Sequence, residues 1–469
     1  MKSGLNFKLS ELAQLKIHFI GIGGAGMSGI ARIMLAKGFS ISGSDKSDSS
    51  TLTTLKALGA KIYVGHAEEN LADAQLVIVS SAITENNPEL AAAISRDIPI
   101  AQRAVALAWL MSESTSVAVA GTHGKTTTTA MLTVALQSAG LDPSFAIGGT
   151  INAAGINAHS GSGSIFVAEA DESDGSFLAY QPTGAIITNV ELDHVDHFAD
   201  EEAVYSVFED FISSIKDDGF LVVCGDDPGV KTLLSRITRT DLKIYLYGKD
   251  SSNDFRIDQI NLAPNSSRAI ISITGRKVGE LNLTVVGEHN LLNALAAFTA
   301  GTAMGGSEEK LLAGLKAFTG TRRRFELKGE VNGVKVIDDY GHHPTELVVT
   351  LTAARNLAGS GRVIVVFQPH RYSRTAAFAN QFSNSLALAD FTYLLEVYAA
   401  SEKPMPGVSS LLIARGMKAE QVKFEPSMLQ VVSDVVEMAK GGDLILTLGA
   451  GDVSSLGDPI LQALASRFA

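Results

Sequence analysis

The chain has very little cysteine. Cys224 is the single one among 469 residues, so an intramolecular disulfide is excluded. It lies in the apolar run 221–224 and is predicted to be a thiol in the hydrophobic core. Such a composition is typical of proteins of the reducing cytoplasm, which is where we expect this one to work.

Long apolar stretches are also missing. The longest obvious one covers residues 104–111, far short of the roughly 20 residues that a transmembrane helix needs. No signal-peptide core is visible near the first residue. We therefore expect no membrane association.

An excess of positive charge is absent as well. The net charge is −12, which argues against general binding to nucleic acids or to anionic membranes. A nucleotide site remains compatible with this charge because its field is local. The 469 residues, 46% hydrophobic and 19% charged, predict an α/β protein of several domains. A monomer and a homodimer both stay open.

The strongest motif in the chain is Gly121-Thr122-His123-Gly124-Lys125-Thr126-Thr127. An apolar run before it predicts a strand, and apolar periodicity after it predicts a helix. Backbone N–H groups converge at such a helix start, where the helix dipole also favours phosphate. Lys125 could reach a terminal phosphate, and the Thr126 hydroxyl could bind Mg²⁺. The motif is a shortened Walker pattern, because Val119 stands where its first glycine belongs.

A second glycine-rich loop lies in a predicted first unit, residues 1–112. Gly21-Ile22-Gly23-Gly24-Ala25-Gly26-Met27 follows one strand, and the next strand ends near Asp45. This arrangement is typical of dinucleotide sites, where glycines admit a diphosphate and an acid binds a ribose. The pattern alone fits NAD or any other diphosphate. Since a separate ATP-type loop follows, a nucleotide-linked substrate such as a UDP-sugar is at least as plausible.

Polar residues follow the strands of a predicted second unit, residues 113–321. One strand ends in Glu169-Ala170-Asp171-Glu172-Ser173-Asp174 and the next in Asn189-Val190-Glu191-Leu192-Asp193-His194. Ligands bind at the carboxyl ends of parallel strands, so Glu169 and His194 are predicted near Lys125, where they could bind Mg²⁺. The rest of the acidic run is interpreted as a solvated loop with a capping role. For Asn290, at the start of a later helix, capping and a ligand contact stay open.

A third unit is predicted over residues 322–469. It opens with Arg322-Arg323-Arg324, which is either a solvated patch or a cluster that contacts a triphosphate. Val331-Asn332-Gly333-Val334 predicts a hairpin turn. Two later strands end in Asp339-Tyr340-Gly341-His342-His343-Pro344-Thr345 and in Gln368-Pro369-His370-Arg371-Tyr372-Ser373-Arg374. Polar residues after strands again indicate a nucleotide-fold unit.

Together, these motifs resemble those of the Mur ligase family over most of the chain. Their order and spacing best match the branch that adds L-alanine to UDP-N-acetylmuramate. The branch that recycles a murein tripeptide shares the sequence His-His-Pro-Thr. It ranks second, because it differs at the first glycine loop and lacks the Gln-Pro-His-Arg-Tyr stretch.

The resemblance implies three domains: a Rossmann-like N-terminal domain for the UDP part of the substrate, a P-loop-type central ATPase domain, and a Rossmann-like C-terminal domain for the amino acid. The implied reaction joins L-alanine to the lactyl carboxylate of UDP-N-acetylmuramate and consumes ATP with Mg²⁺. It belongs to peptidoglycan precursor synthesis.

The resemblance also implies roles for individual residues. The expected ATP contacts are Gly121, Thr122, His123, Gly124, Lys125, Thr126, Thr127, Asn293, Arg324 and Asp339. The expected contacts to the UDP substrate are Gly21, Gly23, Gly24, Ala25, Gly26, Met27, Asp45 and His123. The expected metal ligands are Thr126, Glu169 and His194. Catalysis is expected of Lys125, His343, Arg371 and Arg374, with His343 a candidate base for the amine and an arginine the clamp for the alanine carboxylate.

Two other classes of protein fit the sequence less well. An NAD-dependent oxidoreductase would leave the P-loop and the three consecutive arginines without a role. A non-catalytic nucleotide switch would leave the polar residues at the strand ends of the third unit unexplained.

Overall fold

The computed structural model describes residues 7–173 and 175–468, so Asp174 of the acidic run lies outside the described residues. Three successive α/β units are built on separate sheets. The predicted fold class is therefore confirmed, while the domain boundaries at residues 112 and 321 stay a prediction. Among the described residues, no helix is both long and apolar enough to cross a bilayer.

The first unit is a parallel sheet in the order β3-β2-β1-β4-β5. Its strands are β1 (Lys16–Ile20), β2 (Ser40–Asp45), β3 (Lys61–Val64), β4 (Leu76–Val79) and β5 (Ile100–Gln102). Its helices are α1 (Leu9–Leu12), α2 (Ala25–Ala36), α3 (Ser50–Ala57), α4 (Pro88–Ser95) and α5 (Arg103–Ser112), with a 3-10 turn at Glu68–Leu71. Apolar residues fill both faces of β4, as expected for a parallel strand covered by helices on both sides.

The second unit has a larger, mixed sheet in the order β15-β14-β13-β12-β11-β10-β6-β9-β7-β8. Its strands are β6 (Thr115–Ala120), β7 (Ser144–Ile151), β8 (Ile156–His159), β9 (Ile165–Glu169), β10 (Gly184–Ile187), β11 (Phe220–Cys224), β12 (Lys243–Gly248), β13 (Phe255–Ala263), β14 (Ser266–Ile273) and β15 (Arg276–Leu283). Its helices are α6 (Lys125–Ser138), α7 (Glu201–Ser213), α8 (Pro228–Leu234), α9 (Glu288–Ala303) and α10 (Glu308–Ala317), with a 3-10 turn at Ser176–Ala179. Strands β6, β9, β10 and β11 pair in parallel, so their carboxyl ends share one edge.

The third unit has a sheet in the order β16-β17-β21-β18-β19-β20. Its strands are β16 (Glu326–Val331), β17 (Val334–Asp339), β18 (Val363–Phe367), β19 (Phe391–Leu394), β20 (Val422–Phe424) and β21 (Leu444–Leu448). Its helices are α11 (Pro344–Ala358), α12 (Tyr372–Leu386), α13 (Leu411–Ala414), α14 (Met428–Met438) and α15 (Gly457–Phe468), with 3-10 turns at Ala419–Gln421 and Asp452–Leu456. The predicted hairpin turn is confirmed: Val331 pairs with Val334, and Asn332 and Gly333 take φ values of 48° and 77°.

The units meet in two different ways. One hydrophobic cluster runs from the first unit into the second and includes Phe19, Trp109 and Phe166. The third unit has clusters of its own on the two faces of its sheet. It meets the second unit through polar pairs such as Arg374 with Asp193. The polar seam between the second and third units therefore depends on specific charge partners.

A buried carboxylate, Glu89, organises the carboxyl edge of the first sheet. Its oxygens accept hydrogen bonds from Ser44 and from Asn70 Nδ2 at 2.6 Å, and His18 and His66 lie within 3.5 Å and 3.3 Å of Oε2. Burial opposes the ionised form, but these partners outweigh it and lower the pKa of Glu89 to about 2. The carboxylate therefore stabilises the folded state most where it is ionised.

Replacing Glu89 with glutamine is expected to destabilise the first unit by about 3 kcal/mol at pH 7. Because the folded-state pKa lies below the ordinary value of 4.5, the contribution is complete above pH 4.5 and is lost as the pH falls toward 2. The difference from wild type should thus shrink to about half at pH 3. Urea unfolding followed by the fluorescence of Trp109, the single tryptophan, measures it. The exposed Glu85→Gln is the control, and an equal loss in both variants would contradict a special role for Glu89.

Candidate active site

The P-loop connects β6 to α6 and wraps around the Lys125 side chain. Lys125 Nζ donates hydrogen bonds to the carbonyl oxygens of Gly121 at 2.8 Å and Thr122 at 3.2 Å. A side chain is not tolerated at Gly121, where φ is +120° and a Cβ would stand 2.1 Å from Thr188 Oγ1. The loop thus holds the Lys125 ammonium group at the start of α6. Backbone N–H groups and the helix dipole favour an anion such as phosphate at the same place.

Glu172 is the ion-pair partner of Lys125, contrary to its interpretation as part of a solvated loop. Its carboxylate lies 2.9 Å from Lys125 Nζ and is only 2% exposed. Burial raises the pKa of Glu172 to about 7, although Lys125 opposes the shift. Burial also disfavours the charged Lys125, but Glu172 and Asp171 outweigh it and raise the pKa of the lysine. Lys125 is therefore cationic at neutral pH, whereas Glu172 takes up a proton near neutral pH.

The predicted metal ligands line one cavity in two groups: Thr126 with Glu169, and His194 with Asp171 and Glu172. Thr126 Oγ1 donates to Glu169 Oε1 at 2.9 Å, and the Gly148 backbone N–H donates to Oε2 at 2.6 Å. Side chains of Asp171, Glu172 and His194 present ligand atoms within 4.8 Å of one another. Carboxylate and hydroxyl oxygens with one imidazole are donors that suit a hard divalent cation. The residues present fit Mg²⁺.

A cavity of about 420 Å³ adjoins the P-loop on the side of the third unit. Its lining includes the predicted ATP contacts His123, Gly124, Thr127, Asn293, Arg324 and Asp339. Burial raises the pKa of Asp339 to about 6 against the opposing effect of Arg324. Asn290 also lines the cavity, and its Nδ2 donates to Val286 O at 2.7 Å. Its side chain forms no capping hydrogen bond to the helix start, so the capping interpretation is wrong.

A larger cavity of about 1060 Å³ lies where the three units converge. Its lining includes Ala25 of the first unit, P-loop and metal-site residues of the second, and basic residues of the third. Arg374 Nε and Nη2 donate to Asp193 Oδ1 at 2.9 and 2.7 Å, and Arg371 pairs with Asp196. The guanidinium groups of both arginines are therefore already paired with carboxylates of the second unit. The remaining nitrogen of Arg374, Nη1, lies 3.3 Å from His370 Nδ1.

The structure places His342, rather than His343, in this convergent cavity. Burial lowers the pKa of His342 to about 3, so its imidazole is neutral at physiological pH. His343 is 5% exposed and packs against the rings of His123 and Phe378. His343 was expected on the amino-acid side of the site. In the structure it is His342 that lines the convergent cavity there.

His123 of the P-loop bridges the second and third units. Its Nε2 contacts Glu191 Oε1, and its Nδ1 lies 3.3 Å from Glu346 Oε1 in α11. Burial opposes the imidazolium, but the two carboxylates outweigh it and raise the pKa of His123 to about 10. His123 is therefore a cation at neutral pH. It lines both of the cavities described above but not the one at the first glycine loop.

The first glycine loop borders a cavity of about 700 Å³. Gly21, Gly23, Gly24 and Asp45 line it, whereas Met27 is buried in the core of the first unit. Asp45 Oδ2 accepts a hydrogen bond from Gly23 N at 2.9 Å, and a Cβ on Gly23 would stand 2.8 Å from that oxygen. For Gly26, a Cβ would stand 2.9 Å from Arg103 Nη1. Because Gly23 and Gly26 have no Cβ, the loop can pack closely against Asp45 and Arg103.

A Gly23→Ala variant is expected to raise KM for a nucleotide diphosphate substrate at least tenfold, or about 1.4 kcal/mol. The new methyl group would displace Asp45 and fill the approach to the loop backbone. KM for ATP should change less than about twofold, since the P-loop lies in another unit. Steady-state kinetics with each substrate varied in turn provides the measurement. Equal losses for both substrates would indicate a shared site or general misfolding instead.

Several site residues escaped the sequence analysis. They are Glu172, Glu191, Asp193, His342 and Glu346. Four of them stand in polar runs that follow strands, and Glu346 comes directly after the run 339–345. In the sequence, the only indication of a site was that these polar residues follow a strand. That position does not reveal which side chain of a polar run points into the protein.

Three family models match consecutive parts of the chain. They are described as the Mur ligase family catalytic domain over residues 16–115, the Mur ligase middle domain over 119–301 and the Mur ligase glutamate ligase domain over 323–451. Together they cover well over half of the chain.

Individual relatives match almost its full length. A UDP-N-acetylmuramate–L-alanine ligase of Renibacterium salmoninarum is 48% identical over 462 residues, which is 98% of each chain. The crystal structure of a UDP-N-acetylmuramate–alanine ligase from Thermotoga maritima is similar with a TM-score of 0.81 and 28% identity, over 97% of this chain and 100% of that one. A murein peptide ligase from Psychrobacter arcticus has a TM-score of 0.71 and 26% identity, over 96% and 99% of the two chains.

Proposed function

This chain belongs to the Mur ligase family, and we propose that it joins L-alanine to the lactyl carboxylate of UDP-N-acetylmuramate. ATP is consumed, and the products are UDP-N-acetylmuramoyl-L-alanine, ADP and phosphate, in peptidoglycan precursor synthesis. The observation that carries the proposal is the convergence of all three units on one cavity, lined by the P-loop, the metal-site residues and the third unit's arginines. The near full-length similarity to an L-alanine ligase supports the choice of substrates.

We assign one part of the substrates to each of the three units. Residues 1–112 bind the UDP part of the substrate at the first glycine loop, residues 113–321 bind ATP, and residues 322–469 bind the amino acid. We place the reaction in the cytoplasm, where ATP is available, and in a monomer or a homodimer.

Activation of the carboxylate is the first chemical step. A carboxylate oxygen of the substrate attacks the γ-phosphorus of ATP, ADP leaves, and an acyl phosphate forms. Phosphoryl transfer depends mainly on positioning and on neutralising charge. Lys125 supplies a buried cation for the transferring group, and its pairing with Glu172 keeps it in place until the nucleotide binds. Asn293, Arg324 and Asp339 contact the nucleotide from the adjoining cavity.

Mg²⁺, when bound, neutralises negative charge on the phosphates. Thr126, Glu169 and His194 would hold it, with Asp171 and Glu172 close by. The three ligands line the same cavity as Lys125, so a bound ion would add positive charge beside the lysine.

Attack by the alanine amine is the second step. The amine, after its ammonium proton has passed to water, adds to the acyl phosphate carbon, and the tetrahedral intermediate collapses as phosphate leaves and takes up the second N–H proton. Arg371 and Arg374 line the convergent cavity and would hold the alanine carboxylate, with Arg374 Nη1 exchanging its 3.3 Å contact to His370 Nδ1 for a carboxylate oxygen. His342 is neutral and too weak a base, with a pKa of about 3, to remove the ammonium proton. It therefore positions the amine as a hydrogen-bond acceptor.

A Glu169→Gln variant is expected to raise the Mg²⁺ concentration needed for half-maximal activity about tenfold or more, because a charged oxygen ligand is lost. The matched control is Glu113→Gln, an exposed carboxylate before β6. Activity measured against Mg²⁺ concentration at saturating ATP separates the two variants. An unchanged metal requirement would show that Glu169 only bonds to Thr126 and to the Gly148 backbone.

Phosphate release tests the proposed reaction. Turnover should require ATP, Mg²⁺, UDP-N-acetylmuramate and L-alanine together, and omission of any one should abolish it. With ¹⁸O in the lactyl carboxylate, one label per turnover should appear in the released phosphate, because that oxygen bridges carbon and phosphorus in the intermediate. Phosphate without label, or release that ignores L-alanine, would contradict the proposal.

A further inference from the structure

A cluster of two histidines and one carboxylate lies at the polar seam between the second and third units. His123 and Glu191 come from the second unit, and His343 comes from the third. Their ligand atoms lie within 4.8 Å of one another. We propose that His123, Glu191 and His343 form a binding site for a transition-metal ion of the Zn²⁺ or Co²⁺ type, separate from the Mg²⁺ site.

The geometry suits a small four-coordinate ion. A zinc ion with bonds of about 2.0–2.2 Å holds its ligand atoms about 3.4 Å apart. His343 Nδ1 lies 3.3 Å from Glu191 Oε1, close to that separation. His123 Nε2 contacts the same oxygen, so the ion would separate this pair and displace the proton between them.

The state of His343 points to a missing partner. The side chain is buried, yet neither ring nitrogen has a well-aligned hydrogen-bond partner within the described ranges. Buried polar groups are almost always paired, because an unpaired one loses its contact with water without compensation. A metal bond at Nδ1 would satisfy the nitrogen that faces Glu191.

Neighbouring residues already orient the ligands. Glu346 Oε1 lies 3.3 Å from Nδ1 of His123, the nitrogen that would not face the ion. Thr345 Oγ1 donates to Glu191 Oε2 at 3.2 Å, and the rings of Phe378 and His343 pack in a T-shaped arrangement. Metal-binding histidines commonly donate their second N–H to a carboxylate in this way.

The donor set selects the class of metal. Two imidazoles and a carboxylate favour Zn²⁺ or Co²⁺, whereas Mg²⁺ prefers oxygen ligands. An ion can enter from the 420 Å³ cavity, which His123, Glu191 and Thr345 line. Once bound, it would tie the P-loop to the start of α11. This inference does not rest on the ligase reaction, since binding is measured without substrates.

The test is a Co²⁺ titration of the ligand-free, full-length protein in excess Mg²⁺, followed by visible absorption. We expect one Co²⁺ per chain that Mg²⁺ does not displace and Zn²⁺ does. Glu191→Gln and His343→Gln should each weaken it more than about 100-fold, and Glu346→Gln about 10–100-fold. His194→Gln removes a ligand of the other cluster and should change the affinity less than about threefold.

The outcomes separate the two clusters. No Co²⁺ binding in excess Mg²⁺ would overturn the proposal. So would binding that disappears in His194→Gln but persists in Glu191→Gln and His343→Gln. Thermal melting shows which variants fold; if His343→Gln does not, the result for the partly exposed Glu191 decides. An absorption band from a cobalt–thiolate bond would place the ion at Cys224 and also contradict the assignment.

Discussion

A Lys125→Ala variant is expected to lower kcat for product formation roughly 10²–10³-fold, or about 3–4 kcal/mol, because the cation that faces the transferring phosphoryl group is lost. The affinity for UDP-N-acetylmuramate should stay within about twofold of wild type, since that substrate binds mainly to another unit. Single-turnover formation of the acyl product and a separate binding titration provide the two measurements.

The pairing with Glu172 supplies the control for this variant. Removing Lys125 leaves the buried Glu172 side chain without its partner, which costs stability as well as activity. Lys125→Ala combined with Glu172→Gln should recover stability but not turnover. If the double variant regains activity to within tenfold of wild type, Lys125 acts through folding and not on the phosphoryl group.

Breaking the pair between Arg374 and Asp193 is expected to release the third unit from the second. Both side chains are at most 4% exposed, and loss of one partner of a buried ion pair costs about 3–5 kcal/mol. Asp193→Asn should therefore shift the equilibrium between the closed and the open seam more than about 100-fold toward the open form. A larger radius of gyration of the ligand-free protein in small-angle X-ray scattering would report the opening.

A neighbouring pair gives a matched control. Arg371 and Asp196 join the same two units, but their side chains are 29% and 33% exposed. Pairs near the surface contribute about 0–1 kcal/mol, so Asp196→Asn should leave the radius of gyration nearly unchanged. Equal opening in both variants, or none in Asp193→Asn, would show that the buried pair does not hold the units together.

The features that could be predicted from the sequence are those that a local pattern of residues determines. The P-loop, with Lys125 at the start of its helix, is set by a buried strand, two glycines and a helical period. The turn at Asn332-Gly333 is set by two residues that tolerate positive φ. Because strands with apolar residues on both faces must be covered by helices, the α/β class of all three units followed as well.

The identity of the inward-facing polar residues could not be predicted in the same way. Glu172 looked like one more acid of a solvated run, and its burial depends on Lys125, 47 residues earlier in the chain. Glu346 turns toward His123 only because α11 of the third unit packs against the P-loop. His342 and His343 are adjacent, so a motif cannot decide which ring enters the cavity, whereas the tertiary arrangement does.

The most direct test of the account is a competition between two acceptors in one reaction. The protein is supplied with ATP, Mg²⁺ and UDP-N-acetylmuramate, and with equal concentrations of L-alanine and L-alanyl-γ-D-glutamyl-meso-diaminopimelate. Mass spectrometry then measures the ratio of the two ligated products, which is the ratio of the two kcat/KM values. We predict that UDP-N-acetylmuramoyl-L-alanine accounts for nearly all of the product. A majority of the tripeptide product would contradict the proposed function.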